Sequence, residues 1–260
     1  MQGYVFGADV SARGKPTVPT TTLAELLDRN ARHVDALPRG YFDPVRTEQH
    51  PAAVSVCCSD SRVSQTGMWA VTEPGWLFTP STIGNQVWDV HDGDLVVDGS
   101  VLYPMIYTDT GVTIVVGHTG CGAVTAALDA VRETGDGDHP PGVVKWLSLL
   151  VPVIEDGLAD DRVDPDAGVG LVDQLVEYNV DRQVAFLLDR EEVPSEESIY
   201  GFVYDFQAVY GDRPGTAYLV NANGETDPAA LRSLVPDRHT DVVRRLLDGT
   251  PRGMSGGVDS

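Results

Sequence analysis

Val112-Thr113-Ile114-Val115-Val116-Gly117-His118-Thr119-Gly120-Cys121-Gly122 is the stretch on which the fold turns. Its first half, Val112 to Gly117, is a short run rich in β-branched apolar residues, the pattern of a strand buried on both faces. Three glycines then surround one histidine and one cysteine, so the chain can turn tightly out of the strand. Ala123 to Glu133 follows with neither proline nor glycine and reads as a helix. A buried strand that passes through a tight turn into a helix is half of a β-α-β unit, which points to a parallel sheet with right-handed crossovers.

Working outward, the same grammar recurs. Ala52 to Cys58 is a second buried strand, bounded by His50-Pro51 and by Ser59-Asp60-Ser61-Arg62, and Trp76 to Thr79 is a shorter one. Helices are expected over Gly99 to Thr108, Val143 to Glu155 and Val169 to Leu188. Further upstream Leu23, Leu26, Leu27, Ala31 and Val34 fall at helical spacing behind Thr21 or Thr22 as N-cap, and Pro38-Arg39-Gly40 ends the pattern. That helix carries an apolar stripe in need of a partner. Near the C-terminus, Tyr200 to Phe206 and Ala217 to Asn221 flank Tyr210-Gly211-Asp212 as strand, turn and edge strand. A last helix is expected from about Pro228 to Leu247, interrupted or kinked near Pro236. The predicted fold is α/β: a central, mostly parallel sheet flanked by helices, with an antiparallel edge strand near the C-terminus. Residues 1–20 read as an extended or flexible arm, 21–248 as a single domain and 249–260 as a flexible tail.

The 260 residues include 39 acidic and 18 basic side chains, a net charge of −21, with Lys15 and Lys145 the only lysines. Such a chain repels nucleic acid. Spread over most of the sequence, the charge favours solubility but makes the folded state repel itself, and concentrated salt screens that repulsion. We read the composition as adaptation to a salt-rich cytoplasm. No apolar run approaches the roughly 20 residues of a membrane span, so a membrane partner is not expected. Three cysteines, two of them adjacent, make no disulfide framework; reduced thiols and metal binding fit better.

Cys58 and His118 each stand where a predicted strand ends, and in open parallel sheets ligands gather at those carboxyl ends. Cys121 follows His118 by three residues, in the expected first helical turn, where the helix dipole favours thiolate. One imidazole and two thiolates suit tetrahedral zinc, and three protein ligands leave a fourth position open, the mark of a catalytic site. Zinc lowers the pKa of bound water from 15.7 to about 7, so zinc-bound hydroxide is the expected nucleophile. A lone cysteine at a strand end more often packs than ligates; the three together reverse that expectation. Cys57, pointing opposite to Cys58 on a strand, is assigned to packing. Asp60 and Arg62 flank Ser61 and can pair in an extended loop, which keeps Asp60 ionised and able only to accept hydrogen bonds.

Cys58-Ser59-Asp60-Ser61-Arg62 and Gly117-His118-Thr119-Gly120-Cys121-Gly122 resemble the two signature motifs of the β-class carbonic anhydrases. The resemblance extends to Asn179-Val180 with Gln183, and to Ile199-Tyr200-Gly201-Phe202-Val203-Tyr204-Asp205 as the family's late strand. It implies reversible hydration of carbon dioxide to bicarbonate and a proton, with Cys58, His118 and Cys121 as zinc ligands and Asp60 and Arg62 as the catalytic dyad. It also implies a homodimer or larger assembly, the first helix packed on a neighbouring subunit, and in some members an aspartate that moves onto zinc as an inactivating fourth ligand; Asp60 holds that position here. One stretch departs from the family: Ser81-Thr82-Ile83-Gly84-Asn85 stands where Arg-Asn-x-x-Asn is usual. The arginine and the tryptophan that bind regulatory bicarbonate in part of the family are Ser81 and Ser55 here, so no such site is expected. Two other readings keep the metal: hydrolysis of carbonyl sulfide or carbon disulfide on the same zinc, or a non-catalytic zinc-binding paralogue. The remaining histidines, His33, His50, His91, His139 and His239, sit in no motif that would make one a proton acceptor.

Overall fold

The computed structural model describes residues 21–132, 139–166 and 170–247, so the expected arm over 1–20 and tail over 249–260 lie outside the described residues. The opening helix α1 (Leu23–Ala36) starts where its cap was expected, the Thr22 hydroxyl accepting from the Glu25 N–H. The sheet strands follow as β1 (Ala53–Cys58), β2 (Leu77–Phe78), β3 (Ser81–Thr82), β4 (Trp88–His91), β5 (Asp94–Val97), β6 (Val112–His118), β7 (Ser198–Asp205) and β8 (Thr216–Ala222). The helices after α1 are a short α2 (Gln65–Met68), α3 (Gly99–Tyr107), α4 (Gly122–Arg132), α5 (Pro141–Leu158), α6 (Leu171–Leu188) and α7 (Pro228–Leu234).

The main sheet runs β2-β1-β6-β7-β8, with β3 also paired to β1. Its central pairs β1·β6 and β6·β7 are parallel, while β8 lies antiparallel on β7 at the edge. Alternation along β1 and β6 sorts side chains onto two faces. Val54, Val56, Cys58 and Val115 enter the main core with Val124 of α4, Leu150 and Ile154 of α5, and Leu175 and Val180 of α6. Ala53, Cys57, Ile114 and Val116 pack on the opposite face with Trp69, Phe202 and Tyr204. Cys57 is therefore a packing residue, as its strand parity predicted.

α6 lies directly on the sheet because glycines face it: a Cβ on Gly117 would stand 2.8 Å from both Val176 Cγ1 and Val180 Cγ2, and one on Gly201 2.7 Å from Val180 Cγ1. The helix is buried nearly all round, so its buried polar groups need partners. Arg245 supplies two of them, 3.3 Å from Glu177 and 2.6 Å from Asp181, and the Tyr210 hydroxyl donates to Glu177 at 2.8 Å.

One element appears where none was predicted, and one local expectation differs from the structure. The acidic stretch around Asp92-Gly93 is an antiparallel hairpin, β4–β5, turning on two positive-φ residues, as an Asp-Gly turn between alternating residues does. The last helix is interrupted at Pro236, as expected, but it ends at Leu234 and does not resume as an α-helix toward Leu247. Pro236 disfavours helical geometry at Val235, which is extended; a 3₁₀ turn over Asp237–Val242 follows, and Val243 then bridges Leu219 of β8. No described helix is long and apolar enough to cross a membrane.

Candidate metal centre

Because β1 and β6 are neighbouring parallel strands, their carboxyl ends bring Cys58 and His118 side by side. Gly120, at φ +60, turns the chain so that Cys121 reaches the same point at the head of α4. The ligand-type atoms of Cys58, His118 and Cys121 all lie within 4.8 Å of one another, and all three residues are buried. The two sulfurs are 3.9 Å apart. Two thiolates on one tetrahedral zinc at about 2.3 Å would lie about 3.8 Å apart, whereas a disulfide needs about 2.05 Å. The His118 Nδ1–H donates to the Thr119 carbonyl at 3.0 Å, which leaves the lone pair on Nε2. That Nε2 is buried with no hydrogen-bond partner among the described residues. An orphaned imidazole nitrogen beside two sulfurs at tetrahedral spacing fits zinc, and the donor set leaves a fourth position open.

Hydrogen bonds set the basicity of the pair. The Cys121 thiol donates to Cys58, and this, more than the His118 and Gly84 contacts, lowers Cys58 to about 4. The Gly84 N–H lies 3.4 Å from the Cys58 Sγ. Gly84 is in turn held by Asn179, whose amide donates to its carbonyl at 3.0 Å, and Gln183 donates to Asn179 at 2.9 Å. Cys121 sits one residue before α4 and receives the Ala123 and Val124 N–H groups, yet its donation to Cys58 and its burial push it up. The two N–H groups at the head of α4 favour thiolate at Cys121, as its place in the first helical turn led one to expect, while the hydrogen bond between the sulfurs favours it at Cys58. Cys57, on the other face, is pushed up to about 12 by burial.

Asp60 and Arg62 form the predicted pair. Asp60 Oδ1 accepts from Arg62 N and Nε, both at 2.9 Å, and Oδ2 accepts from Nη2 at 2.6 Å. These bonds hold Asp60 at about 2. Its Oδ2 lies 3.8 Å from His118 Nε2, so the carboxylate faces the place where the three ligand atoms converge. The structure therefore brings together all five residues that the sequence singled out.

It adds others that the sequence did not reveal. Phe206 stacks on His118 at 5.7 Å and carries the Arg62 guanidinium 4.7 Å over its ring, so one side chain braces both. Asp173 accepts from the Gly120 N–H at 2.8 Å and pins the turn. A cavity of about 280 Å³ opens on Cys58 and Asp60, walled by Ile83, Ala126, Val143, Trp146 and Leu147, with His139 also on its wall. At the departure from the family pattern, the Gln65 amide donates to Ser81 at 3.0 Å, and Ser55 is buried 3.7 Å from Cys57 Sγ. No guanidinium stands at either position.

A family profile described as carbonic anhydrase matches residues 53–210. The chain is 31% identical over 215 residues to carbonic anhydrase 2 of Mycobacterium tuberculosis, an alignment covering 76% of this chain and 96% of that protein. Its fold superimposes on a Coccomyxa β-carbonic anhydrase solved with acetazolamide, at a TM-score of 0.63 and 24% identity, over 82% of this chain and 92% of that one. A tetrameric β-carbonic anhydrase of Sordaria macrospora matches at a TM-score of 0.60 and 19% identity, over 76% and 95%.

Proposed function

As the chain belongs to the carbonic anhydrase family, with the fold of its β class, we propose that Cys58, His118 and Cys121 hold the zinc ion and that Asp60 and Arg62 form the catalytic dyad beside it. The reaction is reversible hydration of carbon dioxide to bicarbonate and a proton, and zinc is the cofactor. Zinc supplies a Lewis acid that makes water a nucleophile at neutral pH. Both cysteines give up their protons to ligate. Asp60, ionised and gripped by Arg62, can only accept, so it fixes the direction of the O–H that faces it. The apolar wall of Ile83, Val143, Trp146 and Leu147 suits a small neutral substrate and offers little hold to a charged product. The observation that carries this reading is the convergence of three buried ligand atoms with the Asp60–Arg62 pair at the mouth of one cavity.

The same reading extends to setting and assembly. Three unpaired cysteines support a reducing, cytoplasmic site of action. The net charge of −21 supports work in concentrated salt. The apolar face of α1, exposed among the described residues, supports a homodimer or larger homo-oligomer, and the continuous core from Val54 to Leu247 supports one zinc-enzyme domain over 21–248.

The test is direct: purify the protein in high salt, measure zinc per chain and follow carbon dioxide hydration with a stopped-flow pH indicator. One zinc per chain and hydration well above the uncatalysed rate are expected; stoichiometric zinc without hydration would overturn the reading. Carbonyl sulfide and carbon disulfide, assayed in parallel, are expected to turn over more slowly than carbon dioxide.

A further inference from the structure

A second cavity, of about 330 Å³, shares no lining residue with the first. Its wall includes Arg232 of α7, Tyr210 after β7, and Arg244, Arg245 and Leu246 of the closing segment. Among the described residues no carboxylate lines it, in a chain where 39 acidic residues face 18 basic ones. We propose that this cavity is a binding site for a small phosphate-bearing molecule.

The charges decide the class of ligand. Arg245, at the back, is buried and already neutralised by Glu177 and Asp181, although its Nε has no hydrogen-bond partner among the described residues. Arg232 and Arg244 differ: among the described residues neither has a carboxylate oxygen within 4.0 Å. Arg32, Arg39 and Arg213 also lack a carboxylate partner among the described residues, so what sets Arg232 and Arg244 apart is that they line one cavity together. Arg232 donates instead to the Val243 carbonyl at 3.2 Å, and Arg244 to the carbonyls of Tyr210 at 2.9 Å and Asp241 at 3.2 Å. Neutral carbonyls fix the two guanidinium groups in place without cancelling their charge. A guanidinium has five N–H donors, so each keeps donors to spare.

Two guanidinium charges with no carboxylate partner among the described residues match a phosphate monoester, which carries about −1.5 to −2 near neutral pH. The planar fork of each guanidinium also suits phosphate oxygens. The cavity is larger than bare phosphate needs and lies at the small end of organic-ligand pockets, so the phosphate belongs to a molecule whose organic part meets Val209 and Leu246.

The experiment uses the full-length, zinc-loaded protein at fixed salt, with phenyl phosphate as probe and binding read by calorimetry and by ³¹P line broadening. Saturable one-site binding is expected. R232Q and R244Q should each weaken it by about tenfold or more, while zinc content, hydration rate and circular dichroism stay unchanged. R244K, which keeps the charge but loses the fork, should fall between R244Q and the parent. Absence of saturable binding by the parent protein, or undiminished binding by a folded R232Q/R244Q double variant, would overturn the proposal; the second result would place the anion elsewhere, the metal centre included.

Discussion

Asp60 offers both carboxylate oxygens to Arg62, and the strongest contact, at 2.6 Å, is on the oxygen that also faces His118. If its role is to orient, removing its charge while keeping its shape should spare the metal and harm the rate. Asp60→Asn is expected to retain one zinc per chain and to lose about 100-fold in kcat, the scale of a misplaced reacting group; Cys58→Ser should lose zinc itself. Equal metal loss in both would make Asp60 a ligand. The same pair sets a pH expectation. A carboxyl held at about 2 contributes stability that is fully present above its unfolded value near 3.9 and is lost as pH falls through about 2. Asp60 therefore stays ionised throughout the neutral range, and Arg62→Gln, which removes the leading cause, should raise its midpoint toward the ordinary carboxylate value. Carbon-13 NMR titration of the Asp60 carboxyl checks this; an unchanged midpoint would assign the shift to another group. These five residues were legible because each carries its chemistry in its own side chain and the two motifs are short. Phe206, Asp173 and Asn179 were not, or only by likeness, because their roles lie in contacts made across long stretches of chain, such as Asp173 to Gly120 and Asn179 to Gly84.

At the level of elements, the parallel core was readable because β1 and β6 are continuous apolar runs and the helices after them are long. The β4–β5 hairpin went unpredicted, although Asp92-Gly93 between alternating residues carries a turn signal. The final helix was overextended because apolar spacing continues past Pro236, while the backbone before a proline resists helix. What no periodicity reveals is how closely α6 approaches the sheet. Gly117→Ala would drive a methyl to 2.8 Å from two buried valine methyls, an overpacking that costs about 1–3 kcal/mol. Gly99→Ala, at the first turn of α3 with nothing within 4 Å, should be neutral or stabilise by up to about 1 kcal/mol. Urea denaturation of both in high salt measures the difference; equal stability would mean that α6 can shift without penalty.

For the molecule as a whole, two features pull against each other. Among the described residues of α1 none is buried, and Leu23, Leu26, Leu27 and Val34 are 73%, 55%, 62% and 58% exposed. A helix of 14 residues without tertiary packing is marginal in water, and the proposed assembly would cover this stripe with a second copy of the chain. Yet each copy carries −21, and bringing two together doubles the charge in one particle. The Debye length shrinks from about 10 Å at 0.1 M salt to about 3 Å at 1 M, so salt should favour association as well as folding. Sedimentation velocity is expected to show a dimer or larger species in 2 M sodium chloride that shifts toward monomer near 0.1 M, with the melting temperature falling in parallel. A Leu26→Asp, Leu27→Asp double variant should be monomeric even in high salt, because it places a further charge pair inside the apolar contact. An assembly that persists unchanged in that variant would assign the interface to another face, and α1 would then need a partner other than its own kind.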